Sequence, residues 1–143
     1  MSQKVRPDGG PSRKSVRRAV DGKASENILR QWINRLPMHQ AGWVASKISE
    51  STPIQHVVKV YAGGANLTSV PVDLRKLTGM RELNLYNNHL TCLSSDMLRG
   101  LTELRKLWLH NNNLSSLPGD LLGGFTGLRI LDLSNNSLAS IPG

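Results

Sequence analysis

The stretch ELRKLWLHNNNLSSLP, residues 103 to 118, decides how this chain is read. Leucines fall at 104, 107, 109, 114 and 117, with Trp108 and His110 set between them. Two other stretches repeat the arrangement, MRELNLYNNHLTCL from residue 80 and LRILDLSNNSLASI from residue 128. One template fits all three: apolar, two variable, apolar, one variable, leucine, two variable, asparagine, one variable, leucine, two variable, apolar. The copies start at Met80, Leu104 and Leu128, so the period is 24. A weaker copy precedes them, with Val57, Val60, Ala62, Leu67 and Val70 in the apolar slots. It holds Ala65 where the others hold asparagine, with Asn66 one place late, and it is one residue shorter. Its second half carries Pro71, Leu74 and Leu77.

A fixed period of about 20–29 residues with this spacing is the signature of a leucine-rich repeat. The chain resembles that family over residues 54–143, and residues 1–53 do not match it. The resemblance implies an α/β solenoid with a short parallel sheet on its concave face. Its units are 57–79, 80–103, 104–127 and an incomplete 128–143. It further implies that the side chains of Asn88, Asn112 and Asn136 bond backbone groups of adjacent turns in a buried ladder. Such a ladder has a physical reason, because a buried backbone group left unpaired costs about 1–3 kcal/mol. The first unit lacks this residue and is expected to have the looser turn.

Within each copy the segment around the leucine pair is a strand, and side chains alternate along a strand. Leu83, Leu85, Leu107, Leu109, Leu131 and Leu133 point inward, so the residues between them point out. Just before the second leucine stand Tyr61, Asn84, Trp108 and Asp132; just after it stand Gly63, Tyr86, His110 and Ser134. Near the strand start stand Arg81, Arg105 and Arg129, with Lys59, Glu82, Lys106 and Ile130 beside them. Parallel strands lie about 4.8 Å apart, so Tyr61, Tyr86, Trp108 and His110 are expected to form one aromatic patch beside an arginine stripe. In the returning halves, Met97, Leu101, Leu121 and Phe125 are expected to fill the back of the core.

The chain has 143 residues and a formal net charge of +8. Residues 1–53 hold ten Lys/Arg against four Asp/Glu, and residues 54–143 hold eight against six. The excess therefore describes the front of the chain and not the repeats. Residues 1–24 are rich in Pro, Gly, Ser and basic residues, a composition expected to stay disordered. From Ser25, Ile28, Leu29, Trp32, Ile33 and Leu36 recur at helical spacing, with Ser25 as N-cap and Pro37 as stop. A second helix is expected from about His39 to Ser49, burying Trp43. A repeat stack needs its raw end covered, so residues 25–53 read as an N-terminal helical cap with Trp32 and Trp43 as its bulk.

One cysteine, Cys92, excludes an intrachain disulfide. Neither a secretory signal nor a membrane-spanning apolar run stands out, so the expected compartment is cytoplasmic. The four histidines show no metal-ligand spacing. No phosphate loop, nucleotide fingerprint or Ser/His/Asp pattern is visible. No cofactor is implied and no enzyme is expected. The leading expectation is an intracellular scaffold, a protein-binding module without chemistry. Tyr61, Arg81, Tyr86, Arg105, Trp108, His110 and Arg129 would contact a protein partner, and the arginines favour an acidic one. A second reading makes residues 4–23 a basic arm for nucleic acid or acidic lipid. A third takes the chain as incomplete, with Leu128, Leu131, Leu133 and Leu138 forming an open C-terminal edge through which copies self-associate.

Overall fold

The computed structural model describes residues 13–36 and 51–142. Each copy of the template contributes one three-residue strand: β1 (Lys59–Tyr61), β2 (Glu82–Asn84), β3 (Lys106–Trp108) and β4 (Ile130–Asp132). The strands pair in chain order, all parallel, into one four-stranded sheet. Its register advances one repeat per strand, so Val60, Leu83, Leu107 and Leu131 stand in a row. Pairing continues past the strands: the Ala62 and Gly64 amides donate to Asn84 and Tyr86 carbonyls at 2.8 and 2.9 Å. The same two bonds recur from Leu85 and Asn87, and from Leu109 and Asn111.

The chain leaves the sheet at a residue of positive φ. Gly64, Asn87, Asn111 and Asn135 hold that place, with φ of 64, 51, 56 and 52°. Glycine and asparagine enter the left-handed region at the least steric cost. The template treats positions 87, 111 and 135 as variable, yet each is asparagine. Their side chains also touch: Asn111 Nδ2 donates to Asn87 Oδ1 at 2.6 Å, and Asn135 Nδ2 to Asn111 Oδ1 at 2.7 Å. This outer row is exposed to solvent, and the doublets at 87–88, 111–112 and 135–136 were its sequence signal.

The inner row is buried at Asn88 and Asn112 and half-buried at Asn136. Asn88 Oδ1 accepts from the Ala65 and Leu67 amides at 3.1 and 2.9 Å. Its Nδ2 donates to the carbonyls of Ala62 and Leu85 at 2.8 and 2.9 Å. Asn112 donates to Leu85 and Leu109 and accepts from the Leu90 amide. Asn136 does the same for Leu109, Leu133 and the Leu114 amide. Each asparagine therefore closes the turn of its own repeat and of the one before. The turn of the first unit, which lacks its own asparagine, is held by Asn88.

The returning halves are 3-10 turns at Val72–Lys76 and Leu122–Gly124 and a one-turn helix, α2 (Ser95–Leu98). A single helical turn is unstable alone. The Ser94 side chain caps this one by accepting from the Met97 amide, and Met97 and Leu98 are buried beneath it. Leu74, Leu77, Leu101, Leu121 and Phe125 complete the back of the core, facing Leu83, Leu85, Leu107 and Leu109. Leu128, Leu131, Leu133 and Leu138, the residues of the expected open edge, are partly buried against the core cluster.

The N-terminal region differs from expectation. Helix α1 spans Arg13–Arg35, so it begins well before Ser25 and takes in half of the segment expected to be disordered. Helix growth is cheap once a turn is anchored, and residues 13–21 contain neither glycine nor proline while arginine and lysine favour helix. Ser25 sits inside the helix, where its hydroxyl donates to Asp73 Oδ2 instead of capping. The buried residues of α1 are Leu29, Arg30 and Ile33, with Leu36 buried just past its end, while Trp32 is half-buried and Ile28 is exposed. The helix packs on the 3-10 turn Val72–Lys76, which also touches α2. The expected second helix and Trp43 lie outside the described residues. No helix among the described residues is long and apolar enough to cross a membrane.

The two asparagine rows are separable by mutation. Asn112→Ala leaves the buried Leu90 amide without its partner and removes one of the two side-chain donors to each of the Leu85 and Leu109 carbonyls, and is expected to cost about 1–3 kcal/mol. Asn111→Gly keeps the left-handed turn and is expected to cost well under that. Urea unfolding midpoints of both variants check this, and equal midpoints would mean the inner row does not stabilise the coil.

Candidate functional site

Alternation leaves one side of the sheet free, and its side chains align because the register never slips. Tyr61, Asn84, Trp108 and Asp132 are direct partners across the four strands. Lys59, Glu82, Lys106 and Ile130 form the neighbouring column. All of these are at least partly exposed, whereas the leucines between them are buried in β2 and β3.

The rings do not form one continuous patch. Asn84 stands between Tyr61 and Trp108 in the register. Tyr86 and His110 stack, with centroids 5.0 Å apart and planes 9° from parallel. The other side of the Tyr86 ring lies over Gly63, where a Cβ would overlap it. The missing side chain at Gly63 is thus what seats the ring. Trp108 instead carries Lys106, whose Nζ lies 5.8 Å from the indole centroid, within the range of a cation–π contact.

Glu82 organises the other end of the face. Its Oε1 lies 3.3 Å from Lys59 Nζ and 3.4 Å from Lys106 Nζ, while Oε2 accepts from the Tyr61 hydroxyl at 2.7 Å. One carboxylate from the middle strand therefore ties together three strands. Burial works against its charge, but the hydrogen bonds from Tyr61, Lys59 and Lys106 and the Lys106 charge outweigh it and hold its pKa low. Tyr61 responds in the opposite sense. Burial, the hydrogen bond to Glu82 and the charge of Glu82 push its pKa up to about 12. Sequence reading gives Glu82 no special place, because nothing in a strand pattern says that two lysines from flanking repeats will converge on one carboxylate.

Ser, His and Asp do meet here, contrary to expectation. Asp132 Oδ1 accepts from the Ser134 hydroxyl at 2.6 Å and the Ser134 amide at 3.0 Å. Those bonds, with His110 nearby, keep the Asp132 carboxyl below its ordinary pKa. Asp132 Oδ2 lies 3.3 Å from His110 Nδ1. That nitrogen is buried and not aligned for a hydrogen bond, so the contact becomes an ion pair only when the ring is protonated. The order is wrong for nucleophilic catalysis: the serine hydroxyl is tied to the carboxylate and not to a base that could take its proton. No group of three or more His, Cys, Asp or Glu among the described residues could hold a metal ion. Cys92 is exposed at its turn.

The arginines form a separate line. Arg81, Arg105 and Arg129 each stand one residue before β2, β3 and β4, at the upstream rim of the sheet. Their amides join the ladder, Arg105 to the Arg81 carbonyl at 2.9 Å and Arg129 to the Arg105 carbonyl at 2.8 Å. Arg81 and Arg129 are exposed and Arg105 half-buried. Among the described residues, none of these guanidinium groups enters an ion pair.

Comparison with known proteins agrees with this architecture. Residues 56–114 match the family description "Leucine rich repeat", and residues 102–143 match "Leucine Rich repeats (2 copies)". The chain belongs to the leucine-rich repeat proteins. No curated protein matches the sequence, but solved structures do. A leucine-rich repeat protein of Leptospira interrogans is 32% identical with a TM-score of 0.57, over 62% of this chain and 23% of that one. Human trophoblast glycoprotein, also called Wnt-activated inhibitory factor 1, is 31% identical with a TM-score of 0.52, over 59% of this chain and 31% of that one. The chain thus spans less than a third of either solved chain.

The Glu82 cluster makes two linked statements about pH. Glu82 has a lowered folded pKa, so its contribution to stability is present above the unfolded value of about 4.3 and is lost as pH falls through the folded value. Tyr61 is raised, so its contribution is present below about 10 and fades as pH rises toward 12. In a Tyr86→Phe background, phenolate absorbance should show Tyr61 ionising about two units late, and adding Glu82→Gln should move it part of the way back, because burial, the largest cause, remains. A titration of Tyr61 near 10 with Glu82 intact would refute the cluster.

Proposed function

We propose that the free side of the sheet is where this chain holds a protein partner, and that it acts by display and not by chemistry. Membership of the leucine-rich repeat proteins supports an interaction module in general. The observation that carries the assignment to this face is the stacked Tyr86–His110 pair, seated on Gly63 and beside Trp108. Half-exposed rings held in one orientation lose little side-chain entropy when a partner covers them, and preorganisation of that kind raises affinity without new contacts. Interface hot spots are enriched in Trp, Tyr and Arg, and both tyrosines, Trp108 and three arginines lie on this face and its rim.

The electrostatics fit the same reading. Lys59 and Lys106 are held by Glu82, and Ser134 by Asp132, so the centre of the face carries polar groups already satisfied within the chain. A partner docking there need not strip water from an unpaired charge, which is the step that makes buried polar surface costly. In this reading α1 covers the first unit from the convex side. It packs on the turn Val72–Lys76, which α2 also touches.

Capture from lysate on the whole chain and on a Trp108→Ala variant, followed by calorimetry with the recovered partner, tests the assignment. Trp108→Ala is expected to lower affinity by about 2 kcal/mol or more while leaving the urea midpoint within about 0.5 kcal/mol of the parent, as for a surface substitution. Equal affinity in the variant would remove the face as the docking site.

A further inference from the structure

The arginine row is the part of this surface that the chain leaves unsatisfied. Two carboxylates of the sheet are committed elsewhere, Glu82 to Lys59, Lys106 and Tyr61, and Asp132 to Ser134 and His110; Glu103, exposed two residues before Arg105, enters no ion pair with the row. Arg81, Arg105 and Arg129 keep three positive charges in line, one per strand, with no ion pair among the described residues. Like charges on adjacent strands repel one another. A row kept this way is relieved when an outside group supplies the opposite charge.

We infer that the row receives an acidic helix of the partner, lying across the strands with carboxylates on one side and apolar residues toward Trp108 and Tyr86. This inference rests on the docking face proposed above. The commitment to a helix comes from spacing. Neighbouring parallel strands lie about 4.8 Å apart, so the three arginine backbones span about 9.6 Å. Carboxylates at i, i+3 and i+7 of an α-helix lie on one face and span about 10.5 Å along its axis. An extended segment places three same-side residues over about 13.6 Å and overshoots the row. Downstream of the row the sheet offers first the column Lys59, Glu82, Lys106 and Ile130 and then the column that holds Trp108, so aromatic contact lies on that side of the row. A helix seated on the row therefore has its second contact face set by the same register.

Glu82 tunes this site from behind. It pairs with both Lys59 and Lys106 and offsets one of their two positive charges, which leaves the greater positive charge at the rim. Removing its charge frees both lysines for the incoming acid. The expected sign is a gain in affinity, which a loss of local structure does not produce.

The test selects from a random library of displayed peptides about sixteen residues long, room for four helical turns, on the full chain at physiological salt. The expected winners are acidic, with Asp or Glu at i, i+3 and i+7, and gain helicity on binding. Their affinity should fall about tenfold or more in the Arg81/Arg105/Arg129→Gln variant, weaken with added salt, and rise several-fold in Glu82→Gln. Circular dichroism and urea midpoints confirm that both variants are folded. Winners without acidic excess that are lost with Trp108→Ala overturn the acidic helix and leave the docking face standing. Winners indifferent to both Trp108→Ala and the arginine variant overturn both. No enrichment, or weaker binding in Glu82→Gln, overturns the inference. So does the row binding RNA or anionic vesicles in parallel assays while no acidic peptide is selected.

Discussion

Every turn of this coil must hide backbone polar groups where no strand is available to pair with them. The inner row of asparagines solves that problem. Asn88, Asn112 and Asn136 each use one amide to satisfy carbonyls and amides of two consecutive turns. Without them, strands of three residues would have little to fix their register, since the sheet itself supplies only a few bonds per strand. With them, leucines fall into rows and the core closes against the turns and α2 behind.

The surface inherits that precision. Because the register never slips, residues 23 or 24 positions apart become neighbours, and a carboxylate on β2 reaches lysines on β1 and β3. The same alignment brings the Tyr86 ring onto Gly63 and against His110. These contacts fix the rings and leave their outer faces half-exposed. The rim is treated differently. There the arginines are aligned by the same ladder yet receive no partner from within the described chain. The face therefore divides into a centre whose lysines share Glu82 and an edge without ion pairs among the described residues, and the proposed docking surface rests on that division.

Much of this was legible in the sequence, for a simple reason: period and alternation alone decide which side chains point in and which point out. Trp108 between two buried leucines had to face outward. What pattern could not give was anything depending on contact between side chains. The Glu82 cluster requires knowing that Lys59 and Lys106 flank one carboxylate in the register. The split of the aromatic patch follows from Asn84 standing between Tyr61 and Trp108. The Ser134–Asp132–His110 contact spans two repeats, so no local motif announces it. The outer asparagines were visible as letters but hidden by the template, which asks for one asparagine per repeat and treats its neighbour as free. The early start of α1 was missed because composition argued for disorder, whereas helix extension from an anchored segment depends on propensity and cooperativity.

The inner asparagines also give the coil a direction. Asn112 reaches back to Leu85 and Leu90, and Asn136 reaches back to Leu109 and Leu114. Each repeat is thus finished by the one that follows it, like shingles laid from one end. A defect introduced in one unit loosens the turn before it, and leaves the next unit's own asparagine in place. The same asymmetry applies as the chain is made, since domains are synthesised from the N-terminus. The turn at 86–90 waits for Asn112, and the turn at 110–114 waits for Asn136, so order trails the growing end by one repeat. The emerging array locks in a single sense, with each new unit acting as the clasp for the last.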